Sequence, residues 1–119
     1  MSAPEPRVLG FFKEADGPEE MTAPLKADGE ALYVEVTSGF RNRVELVVGN
    51  VVKAVVEDVA RGGSGPARPI GGEAACEVVG YWNELHLPPG LTLAHGLRPG
   101  DVVRLTLRSI VQHGVERPV

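Results

Sequence analysis

From Asp101 to Val111 the chain alternates without a break. Val103, Leu105, Leu107, Ser109 and Val111 fall on one face, and Val102, Arg104, Thr106, Arg108 and Ile110 on the other. A period of two predicts a long strand with an inside and an outside. Ala31 to Thr37 behaves the same way, with Leu32, Val34 and Val36 facing one side and Tyr33, Glu35 and Thr37 the other. Between Asn42 and Val59 two valine-rich runs flank Gly49-Asn50. Gly-Asn between apolar runs predicts a two-residue hairpin, with Val48 opposite Val51 and Val44 opposite Val55. Both faces of that hairpin are largely apolar, so it is expected to be covered on both sides, by the same chain or by a partner.

Weaker signals fill the rest. Arg7–Phe12 reads as a first strand, and Glu73–Leu87 as strand bent or broken near Gly80 and Asn83. Pro89-Gly90 and Pro99-Gly100 have the order that type II turns require, and Leu91–Ala94 reads as a short strand between them. The acidic stretch 13–29 and the Gly/Pro-rich stretch 61–72 are expected as long loops, and 112–119 as a tail. No window of about eleven residues carries a helical apolar period free of Gly and Pro. The expected fold is all-β: a small closed or partly open barrel of about six to eight strands with little or no helix. A sandwich is disfavoured because aromatic residues make up only 5% of the chain.

Composition narrows the class. At 119 residues the chain is sized for one domain. Its net charge of −4 is carried by residues 1–30, which hold seven acids and three bases; the rest is neutral. That balance disfavours a general nucleic-acid binder, which needs clustered cations. The lone Cys76 excludes an internal disulfide and is expected to be an inert buried thiol. No apolar run is long enough to cross a membrane and no secretory leader is visible, so a cytoplasmic protein without membrane contact is expected. No cofactor fingerprint or nucleophile motif is present, and no cofactor is expected.

Three readings of function remain. The first is a non-enzymatic binding module that self-associates or meets a protein partner, through Val47, Val52 and Val56 of the hairpin and Arg104 and Arg108 of the last long strand. The second is single-stranded nucleic-acid or anion binding through Arg41, Arg43, Arg61 and Arg68, with Trp82 as a stacking platform. The third is a metal or acid–base site. Glu84 and His86 share a strand face, and a hairpin at Pro89-Gly90 would bring His95 beside them. Two imidazoles and a carboxylate suit a first-row metal. His113 is assigned to the tail.

Overall fold

A computed structural model describes residues 18–80 and 83–119 of the chain. Within these, eight antiparallel strands form one sheet: β1 (Glu19–Pro24), β2 (Lys26–Asp28), β3 (Ala31–Glu35), β4 (Val51–Ala60), β5 (Ala67–Val79), β6 (Glu84–His86), β7 (Val102–Gln112) and β8 (Val115–Pro118). Two short helices, α1 (Ser38–Val44) and α2 (Pro89–Ala94), interrupt them. Strand order is β1-β7-β4-β5-β6-β3-β2, with β8 also on β7. The two ends of this path, β1 and β2, are separated by Leu25 alone. The sheet therefore curls back through one bent strand into a small, partly open barrel. Its interior is aliphatic, with Val34, Val52, Val56, Val59, Val78, Leu85, Val103, Leu105 and Ile110 fully buried. Among the described residues no helix is long and apolar enough to cross a membrane.

The all-β barrel is as expected, but the Gly49-Asn50 hairpin is not there. Ser38–Val44 is a helix, and β4 pairs with β5 and β7 instead of with residues 42–48. Thr37 caps that helix, its Oγ1 accepting from Phe40 N at 3.1 Å. Phe40 and Val44, four residues apart, bury its one apolar face. Gly49 does have a positive φ, 97°, but as the third residue of a turn in which Asn50 N donates to Val47 O at 3.1 Å. That turn enters β4 and does not fold the chain back on itself. Leu91–Ala94 belongs to α2, not to a strand, and Pro89 sits in its first turn, where its missing N–H costs nothing.

The expected loops are shorter than composition suggested. β1 and β2 lie inside 13–29, and β5 begins at Ala67, leaving 61–66 as the connection. The expected tail is β8, and Val119 beyond it is buried. In β7 the alternation slips at Arg108: Lys53 pairs with Ser109 but Ala54 with Leu107. Burial accordingly passes from Val103, Leu105 and Leu107 to Ile110. On one edge of β7, β1 reaches up to Leu107 and β8 starts at Ser109, so the slip falls where one partner gives way to the other. The strand expected at Arg7–Phe12 lies outside the described residues.

The chain repeats itself at a step of 51 residues, the distance from Asn50 to Asp101. Val36 N donates to Asn83 O, and Leu87 N to Leu32 O, both at 2.9 Å. Leu46 N donates to Arg41 O, and Leu97 N to Thr92 O, again both at 2.9 Å. Val47 N donates to Asn50 Oδ1 at 2.9 Å, and Arg98 N to Asp101 Oδ2 at 3.0 Å. Gly49 and Gly100 have φ of 97° and 92°. The barrel is two copies of one strand–helix–turn–strand unit about a pseudo-two-fold axis. That axis passes between Val55 and Thr106 and between Val34 and Leu85, the pairs at which each copy meets its own equivalent.

Candidate functional site

At one crossing of that axis β3 and β6 lie side by side, with Val34 opposite Leu85. Leu32, Val34, Val36, Leu85 and Leu87 face inward and are buried. Alternation therefore sends Tyr33, Glu35, Glu84 and His86 to the outer face. β2 adds Lys26 opposite Tyr33, and Asp28 opposite Ala31, whose methyl group leaves room above the sheet. Ligand atoms of Asp28, Glu84 and His86 all lie within 4.8 Å of one another.

Neighbours hold this cluster in place. His86 Nε2 stands 3.2 Å from Glu84 Oε1, and both side chains are largely buried, 15% and 19% exposed. The Tyr33 ring stacks on the imidazole, centroids 5.3 Å apart and planes 13° apart, which sets its orientation. Gly80 leaves the space that Glu84 occupies: a Cβ there would come within 2.9 Å of the carboxylate. Lys26 Nζ, across from Tyr33, is drawn to Glu35 at 3.0 Å and is therefore already paired.

Glu84 and His86 thus meet on one face of β6, but His95 is not with them. With α2 in place of the expected hairpin, His95 caps that helix, and its carbonyl accepts from Arg61 Nη2 at 2.6 Å. Asp28 supplies the third ligand atom. Sequence pattern alone does not point to it, because it sits in an acidic stretch that reads as loop. Only the β2–β3 register brings it across.

The other candidate residues scatter. Arg61 and Arg68 line one open groove with Arg98 and Asp101. Arg41 and Arg43 lie on α1; Arg43 pairs with Glu19 and sits over the Phe40 ring at 5.5 Å. Trp82 lies outside the described residues. Val52 and Val56 point into the barrel and expose nothing, whereas Val47 is 45% exposed in the turn before β4. Arg104 Nη2 is bound to Asp58 Oδ2 at 2.8 Å, so its charge is used within the chain. Arg108, on the outer face of β7 beside the slip, borders a depression with Lys53, Glu73 and Glu116. His113, with a φ of 52°, is in the turn between β7 and β8.

Asp101 is 4% exposed and shows what a purely structural carboxylate looks like here. Its Oδ1 accepts from Gly62 N at 2.9 Å; its Oδ2 accepts from Arg98 N at 3.0 Å and Arg61 Nη1 at 2.8 Å. Burial pushes this carboxyl up, but the two backbone donors and the guanidinium outweigh it and hold it below the ordinary range. Burial pushes the Cys76 thiol up to about 12, consistent with an inert core residue.

Comparison with protein-family models, with curated proteins and with solved structures returned no match for this chain.

Proposed function

We propose that the protein is a metal-binding module that holds one first-row divalent cation between Asp28, Glu84 and His86. The convergence of two carboxylates and an imidazole within 4.8 Å carries this reading. Two like charges brought this close repel each other. Lys26, the lysine of the neighbouring strand, makes its ion pair with Glu35 and acts on Glu84 only through space. A divalent ion among the three groups converts that repulsion into attraction.

The spacing supports the same reading. Ligands bound at about 2.0–2.2 Å to one ion stand roughly 3–3.5 Å apart; Glu84 Oε1 and His86 Nε2, in hydrogen-bond contact at 3.2 Å, already have that separation. One nitrogen and two oxygen donors suit Zn²⁺, Mn²⁺, Fe²⁺ or Co²⁺ better than Ca²⁺, which takes oxygen alone. Three protein ligands leave coordination positions for water or an external ligand.

The test is equilibrium dialysis of the metal-stripped full chain against Zn²⁺ or Mn²⁺, followed by elemental analysis. One ion per chain is expected, falling to a small fraction in Asp28→Asn, Glu84→Gln and His86→Ala. Absence of stoichiometric binding, or equal binding by all three variants, would overturn the proposal.

A further inference from the structure

We propose a second site, independent of the metal ligands: the groove between Arg68 and Arg98 binds a phosphate dianion, free or as the end group of a small phosphomonoester. The groove is open, about 870 Å³, and lined by Arg61, Arg68, Arg98, Gly62, Gly96 and Asp101. Asp101 is the one carboxylate among these residues, and its oxygens are taken by Gly62 N, Arg98 N and Arg61. Arg61 and Asp101 therefore cancel. Arg68 and Arg98 are exposed, and neither meets a carboxylate among the described residues. Among the described residues the groove thus keeps two guanidinium groups without a carboxylate partner, a charge that matches a dianionic phosphate.

The internal repeat gives a second, independent argument. The turn that carries Arg98 recurs with Val47 in its place, and the Arg61–Asp101 pair recurs as Gln112–Asn50. A depression in the first copy, about 300 Å³, shares with this groove only the positions of Gly96 and Arg98, which are Glu45 and Val47 there, and its one cation is Arg41, whose counterpart is Thr92. The same backbone thus folds without the charge at this position. Arg98 is therefore not required by the turn, and its charge is peculiar to the second copy. A nucleic-acid backbone would need a longer run of cations than these two and a less acidic chain.

The test is an NMR titration of the ¹⁵N-labelled full chain at low ionic strength with inorganic phosphate, glycerol phosphate and a short single-stranded oligonucleotide. Saturable shifts at the amides of Gly62, Gly96 and Arg98 are expected with phosphate or the monoester; the tighter of the two identifies the source. The double variant Arg68→Ala/Arg98→Ala leaves the Arg61 clamp intact. It is expected to keep the wild-type melting temperature and to bind at least about tenfold more weakly. The proposal is overturned if no saturable shifts appear in the groove, if the double variant binds equally well, or if the oligonucleotide binds more tightly than either small anion.

Discussion

Gln112 does for the first copy of the repeat what Arg61 does for the second. Arg61 grips the carbonyls of His95 and Gly96 and the side chain of Asp101. Gln112, 51 residues on, grips the carbonyls of Val44 and Glu45 and the side chain of Asn50. Each residue ends or follows one of the two central strands and ties down carbonyls at and just past the end of a helix, where the helix itself supplies no partner. One latch is charged and the other neutral, and the backbone they secure is the same.

Breaking the charged latch on one side only is expected to be the costlier change. Arg61→Ala leaves Asp101 buried without its guanidinium and should lower unfolding free energy by about 1–3 kcal/mol. Arg61→Gln with Asp101→Asn rebuilds the neutral latch of the other copy. Urea denaturation should show the double variant losing clearly less than the two single losses added together.

The same latch predicts an acid limit. Asp101 is held below its ordinary value of 3.8 when folded, so its contribution is present above about pH 3.8. As pH falls through and below that value the unfolded chain binds the proton first, and stability drops. Melting temperatures of Asp101→Asn, measured from pH 5 to pH 2.5, should fall less steeply than those of the wild type.

Cys76 predicts an alkaline counterpart. Its folded value of about 12 lies above the ordinary 9.0, so the unfolded thiol ionises first. Stability falls as pH rises from about 9 toward 12, and Cys76→Ala should flatten that part of the curve. At pH 8 the native thiol should resist a disulfide reagent and react at once in denaturant.

Two turn glycines and one helix glycine should respond with opposite signs. A Cβ at Gly49 or Gly100 meets nothing within 4 Å, so the cost of Ala is backbone strain alone, about 1–2 kcal/mol each. Gly90, within α2, is equally open and has no left-handed backbone. Gly90→Ala should leave stability unchanged or raise it by about 0.5–1 kcal/mol. Thermal melts of the three variants check this.

Whatever depends on a period of two is legible in the sequence. The faces of β3, the start of β7 and the placement of Glu84 and His86 on one face follow from alternation, and the break between Val79 and Glu84 follows from Gly80 and Asn83. The helices do not show because each has fewer than eight residues, shorter than the window in which a helical period stands out. Local marks are present, with Thr37 before Phe40 and Val44 in one and Pro89 at the head of the other. The valines mislead because Val47 and Val48 belong to an exposed turn whose apolar character has no counterpart in the second copy. The slip at Arg108 leaves no trace in composition. The repeat is visible in principle, since Leu46-x-x-Gly49-Asn50-Val-Val and Leu97-x-x-Gly100-Asp101-Val-Val share their spacing. It pairs Val44 with His95, which places His95 at a helix end and removes it from the metal cluster.

The most direct test of the central claim is the visible absorption spectrum of the metal-stripped protein titrated with Co²⁺. The Asp28–Glu84–His86 site predicts d–d bands that saturate at one equivalent and vanish in His86→Ala while the far-ultraviolet circular dichroism stays unchanged. A spectrum that remains that of aqueous cobalt throughout, or one that His86→Ala leaves intact, would contradict it.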